Sequence, residues 1–186
     1  MFDSILMSGQ VTGVDMSILT SKWMLLLLIP IVVVFVLLLV GQKSVKSETI
    51  INAQPDAVWA LLTKTDGYPD WNPVMQSAKG NLVEGEKIVY SFKQDENVQY
   101  DVPITVKKIV DGKHLNQGGG MAGIVTYDHH YELEALEQGK TKLIIREDYH
   151  GVYVPFWDPA PVEAAYHRLG QAVKQRIENP VNASVE

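Results

Sequence analysis

Glu147 and His129 are the residues of this chain best placed by type and spacing to do chemistry. Thr141, Leu143, Ile145, Glu147 and Tyr149 alternate along one run, and Val125, Tyr127, His129, Tyr131 and Leu133 alternate along the run before it. Side chains two apart on a strand point the same way. Glu147 is therefore expected to point inward, among apolar and tyrosine neighbours. A carboxylate there is desolvated and must find a partner or take up a proton. His129, Tyr127 and Tyr149 are the partners that the alternation offers. Two roles follow. A glutamate with a raised pKa beside a histidine can serve as an acid/base pair. The same carboxylate can instead orient a ligand or stand satisfied in a cavity wall. Burial would raise its pKa and a protonated His129 would lower it, which leaves the sign open.

Other chemistries find less support. His129 and His130 are neighbours, so on a strand they face opposite ways and cannot hold one metal. His150 and His167 have no acid at ligand spacing. Neither a metal nor a cofactor is expected. The chain has no cysteine, which excludes disulfides, thiolate nucleophiles and cysteine-zinc sites. No serine stands near a histidine in a recognisable hydrolase setting. Gly118 to Gly123 is rich in glycine, but a strand pattern follows it rather than a helix. It is expected as a flexible loop at a cavity mouth and not as a phosphate cradle. The formal charge is −6 with no basic block, so nucleic acid is not an expected partner.

The elements that must position Glu147 and His129 are organised around Thr49 to Met75. A short alternating strand opens this stretch. Pro55 then stands where a helix's first turn tolerates it, and Ala57, Val58, Leu61 and Leu62 repeat at helical spacing with Trp59 among them. Gly67 is expected to stop the helix. Tyr68-Pro69-Asp70-Trp71-Asn72-Pro73 reads as a tight aromatic connection. Strands are expected over Val74 to Lys79, Lys87 to Lys93, a long run through Val106, and His114 to Asn116. Ile88, Tyr90 and Phe92 share one face of the second, and Tyr100, Val102 and Ile104 share one face of the third. Pro103 suggests an edge or a bulge. After the Glu147 strand, Asp158 is a plausible N-cap with Pro159 at the first helical position. Val162, Ala165, Tyr166, Leu169, Ala172, Val173 and Ile177 then form one apolar stripe, and Pro180 ends the helix.

Two separated motifs resemble the START-like or SRPBCC superfamily, the polyketide cyclase/dehydrase and lipid transport group. The first is Ala53, Pro55, Val58-Trp59, Leu61-Leu62, Tyr68-Pro69 and Trp71-Asn72-Pro73. The second is His129, Tyr131-Glu132-Leu133, Leu136, Gly139, Thr141, Leu143, Glu147 and Gly151. The resemblance implies an α+β helix-grip fold, a curved antiparallel sheet wrapped around a long C-terminal helix with a cavity between them. Trp59, Trp71, Tyr90, Phe92, Tyr100, Tyr127, His129, Tyr131, Glu147 and Tyr149 are the expected cavity residues.

The N-terminal region is of a different composition. Trp23 to Val40 carries no charge and spans about 27 Å as a helix, close to the ~30 Å hydrocarbon core. It is expected as a single transmembrane helix, with Lys22, Lys43 and Lys46 as interfacial anchors. The expected order is a tail over 1–22, the transmembrane helix over 23–40, a linker over 41–46, the START-like domain over 47–178 and a disordered tail over 179–186. Lysine counts favour the cytoplasm for the domain. Asn182-Ala183-Ser184 matches a glycosylation acceptor. Together these imply a membrane-anchored module with two partners, the lipid bilayer and a hydrophobic small molecule or lipid. A cyclase- or dehydratase-type enzyme and a non-catalytic interaction module are the alternatives.

Overall fold

The computed structural model describes residues 22–179. The expected tails and the Asn182 triplet lie outside the described residues, as does Pro180. Helix α1 (Lys22–Val40) stands where the sequence placed it and contains Pro30. Among the described residues, however, no helix is long and apolar enough to cross a membrane. This overturns the expected single-pass membrane localisation and, with it, the argument for a bilayer partner and a cytoplasmic side. Two of the expected anchoring lysines, Lys43 and Lys46, are engaged otherwise. Lys43 Nζ donates to the carbonyl oxygen of Trp157, and Lys46 pairs with Glu48 at 2.6 Å.

The chain divides into two compact units after Val36, and the sheet, the cavity and the last helix all lie in the second. Strand β1 (Gln42–Ile51) begins directly after Gly41. Residues 42–46, expected as linker, are therefore strand, paired from Gln42↔His150 to Lys46↔Arg146. Val45, Ser47, Thr49 and Ile51 alternate inward. Helix α2 (Pro55–Thr63) starts on Pro55 and buries Val58 and Leu62. It stops at Thr63, earlier than Gly67, because the aromatic connection winds as a 3-10 turn over Thr65–Asp70. Tyr68 pins that turn to α2 by donating its hydroxyl to the Leu62 carbonyl at 2.6 Å. Asn72 Oδ1 then accepts from the N–H groups of Val74 and Met75 at 3.0 and 2.8 Å, which sets the direction of the next strand.

Strands β2 (Met75–Lys79), β3 (Lys87–Lys93), β4 (Gln99–Val110), β5 (His114–Met121), β6 (Val125–Leu136) and β7 (Lys140–His150) complete one antiparallel sheet. Its order is β1-β7-β6-β5-β4-β3-β2, a meander closed by β1 returning to β7. Helix α3 (Ala160–Glu178) buries Val162, Ala165, Tyr166, Leu169, Gly170 and Val173. The helix-grip α+β architecture follows: a curled sheet whose inward residues pack on one helix stripe. The cap of α3 sits one residue later than expected. Pro159 is the capping residue, and Asp158 Oδ1 accepts from the Ala160 N–H at 3.1 Å.

One expectation about loops fails. Gly118, Gly119 and Gly120 belong to the β5–β6 ladder, opposite Asp128, Tyr127 and Thr126. A Cβ on Gly119 would stand 2.5 Å from the Tyr127 hydroxyl and 2.8 Å from the Pro103 carbonyl. Glycine is there because a neighbouring side chain crosses its backbone closely.

Candidate functional site

The inward faces of β3, β4, β6 and β7, the start of β2 and the first turns of α3 line a partly open cavity of about 90 Å³. Of the expected residues, Phe92, Tyr100, Tyr127, His129, Glu147 and Tyr149 line it. Trp59, Trp71, Tyr90 and Tyr131 do not. Trp71 meets Tyr68 edge-on, and Trp59 packs against the core. Tyr90 is buried, with its hydroxyl accepting from Gln117 Nε2 at 2.9 Å. Tyr131 is buried beside the His129 ring, with centroids 4.6 Å apart. The remaining lining is Met75, Val102, Ile104, Val162 and Tyr166.

Glu147 is buried at the centre of this wall. Register places it opposite His129 on β6, but the two side chains are joined through a third group. Tyr149 and Tyr166 both donate their hydroxyls to Glu147 Oε2. The Tyr166 oxygen lies 3.2 Å from His129 Nδ1. With the Tyr166 proton directed at the carboxylate, His129 must carry its own proton on Nδ1, a tautomer assigned from this network. His129 Nε2 is buried and has no hydrogen-bond partner among the described residues.

Burial pushes the Glu147 carboxyl up to about 7 against the two tyrosine hydroxyls, which pull it down, and Asp128 and Asp148 add to the rise. The sign left open by the sequence is therefore upward. Burial also drives His129 down to about 3, with His130 acting the same way, so His129 is neutral near pH 7. Tyr127 is raised to about 12, first by burial and then by the Glu147 charge. Tyr149 and Tyr166 are raised too, first by burial. The arrangement can hold one proton on a buried carboxyl and hand it to a tyrosine-lined space. A direct Glu147–His129 proton pair is not made.

The family described as polyketide cyclase/dehydrase and lipid transport matches residues 42–180, from the start of β1 past the end of α3. The chain belongs to this family. No curated protein matches it by sequence. Solved structures share its fold. A protein of unknown function, SA2116, from Staphylococcus aureus has a TM-score of 0.59 at 15% identity over 76% of this chain and 96% of its own. A START superfamily protein from Mycobacterium smegmatis has 0.57 at 13% over 74% and 99%. Ara h 8.0201 has 0.56 at 14% over 74% and 99%. What is shared with them is the fold, and the polar network inside the cavity is built from this chain's own residues.

Tyr166, which lines the cavity and bonds Glu147, is the residue that the reading by strand alternation missed. Its signal was present, since it stands on the apolar stripe of the last helix, one turn after Val162. A second cluster lies outside the cavity. Ligand atoms of His114, His130 and Glu132 all fall within 4.8 Å of one another. They come together only through the β5–β6 register, in which His114 faces Glu132 and Asn116 faces His130. His114 Nε2 and His130 Nδ1 are 2.9 Å apart, with rings parallel within 3°. That separation is a hydrogen bond, shorter than the roughly 3.3 Å that tetrahedral zinc imposes on two nitrogens. Arg146 also approaches Glu132, at 3.3 Å.

Proposed function

We propose that this domain binds a hydrophobic small molecule, or the end of a lipid, in the cavity between the sheet and α3. The observation that carries the reading is a partly open pocket walled by Phe92, Tyr100, Tyr127 and Tyr149, with one polar network at its centre. Ligand sites combine apolar walls with a few convergent polar groups in this way. At about 90 Å³ the space is well below the ~300–1,000 Å³ of sites that enclose a whole drug-sized ligand. A compact group enters it, and the remainder of a larger ligand stays outside. Val162→Phe should fill the space without adding charge. Nile red titrated into the full chain should bind at least fivefold more weakly to that variant. The exposed side chains of α1 bind the dye equally in both proteins, so only the difference counts. Equal affinities would refute the reading.

Glu147 favours a second reading, in which the domain catalyses a proton transfer. A carboxyl near pKa 7 is matched to general acid or base work at neutral pH. Here Glu147 would act alone, because His129 stays neutral and out of direct contact. If a co-purified compound is converted by the wild type, Glu147→Gln should leave its binding within about tenfold and cut turnover by ~10²-fold or more.

A further inference from the structure

Among the described residues, no cation stands beside the buried Glu147 carboxylate. Its two partners are phenol hydroxyls, and the cavity wall contains no lysine or arginine. A buried carboxylate in such a place needs a proton or a positive charge to neutralise it. The side chains around it are rings whose electron-rich faces attract cations: Phe92, Tyr100, Tyr127 and Tyr149. Asp128 and Asp148 lie near enough to make the field at Glu147 more negative.

We infer that the cavity is a box for an organic cation, taking the ammonium head of an amphipathic alkylammonium compound with Glu147 as its counter-ion. The inference rests on the hydrophobic-ligand reading and specifies the ligand's polar end. The dimensions agree with it. A space of about 90 Å³ suits a compact head group and not a chain. An open cleft of about 540 Å³ shares Tyr100, Val102, Ile104 and Tyr127 with the cavity and continues past Gly119 and Met121. An alkyl tail leaving the box can run along that wall, where Met121 and Tyr100 are exposed. The cation also ties affinity to pH. The titratable groups facing Glu147 are Tyr149 on its own strand, Tyr127 and His129 on β6, Tyr100 on β4 and Tyr166 on α3. The four phenols are raised and His129 is lowered to about 3. Between pH 6 and 8 the group of this set that changes charge is Glu147, near 7.

Hexanoylcholine and 3,3-dimethylbutyl hexanoate have the same shape and differ by one positive charge. Isothermal titration of the full chain at pH 8 should give at least tenfold tighter binding of the choline ester. Glu147→Gln should erase the preference, whereas a preference caused by the chain's overall acidity would survive in that variant. From pH 8 to pH 6 the wild type should lose severalfold of its affinity for the choline ester and none for the uncharged one. Equal affinity for the two esters in the wild type would overturn the cation inference and leave the hydrophobic-ligand reading standing. Failure of both esters to bind at millimolar concentration would overturn both. If circular dichroism shows that the Gln variant does not fold, the wild-type pH series decides, and a flat choline affinity refutes the inference.

Discussion

Removing the Glu147 charge should stabilise the fold, and only above a defined pH. The carboxyl moves from an ordinary 4.5 to about 7 on folding, chiefly because it is buried. At about 1.4 kcal/mol per pKa unit, the ionised group costs the folded state roughly 3 kcal/mol. Between pH 4.5 and 7 the folded chain holds a proton on Glu147 that the unfolded chain has released, so stability falls as pH rises through that window. The cost is absent below 4.5 and complete above 7. His129 runs the other way. Its lowered value, about 3, means that the unfolded chain binds its proton first, and this term lowers stability as pH falls from 6.5 toward 3. Comparing wild type with Glu147→Gln cancels His129. Urea melts of the two proteins should agree at pH 4.5, and at pH 8 the variant should be more stable by about 3 kcal/mol. That is a rise of about 6–12 °C in Tm for a chain of this size. A difference that stays constant across this range, or a variant less stable at pH 8, would refute the burial and the network assigned to Glu147.

Two further outcomes test the packing that holds the site. Ala165→Asp or Leu169→Asp should abolish folding, since both residues are fully buried and an unpaired buried carboxylate costs several kcal/mol, comparable to a domain's whole stability. Lys174→Asp, off that stripe, should shift the thermal melt by only a degree or two. Gly170→Ala should cost about 1–3 kcal/mol, because the new Cβ would stand 2.4 Å from Thr49 Oγ1 on β1. Adding Thr49→Ala should recover most of that loss in a denaturant melt, and no recovery would mean that the helix-to-β1 contact is misplaced.

Alternation carried the sequence reading well where one face is buried. Glu147, His129 and Tyr149 fell inward because a one-residue slip would have exposed Leu143, Ile145 and Tyr131 as well. The helix stripe was legible for the same reason. What the sequence hid depends on pairing between strands. Residues Gly118 to Gly120 read as a loop because nothing local reveals that Tyr127 crosses their backbone. His114 and His130 are 16 residues apart and meet only through register. Aromatic type alone could not separate Tyr90 and Tyr131, which fill the core, from Tyr100 and Tyr127, which line the cavity. Lys43 looked like an interfacial anchor, yet its partners are carbonyls more than a hundred positions away.

Pro103 sits in an interior strand without breaking any ladder. The β4–β5 pairing begins at Thr105↔Gly118, while Gln99 through Ile104 pair with β3 alone. Across the gap runs one hydrogen bond, from the Tyr127 hydroxyl to the Pro103 carbonyl at 2.8 Å. Drawing the β3–β4 tip away from the β5–β6 tip sacrifices that hydrogen bond, about 0.5–1.5 kcal/mol, together with the Arg168–Gln94 hydrogen bond and the edge-on Phe92–Tyr166 contact that tie the tip to α3. The sheet is already cut along the seam where a tail would leave, and the cavity can widen on that side while the β5–β6–β7 ladders and α3 keep their places.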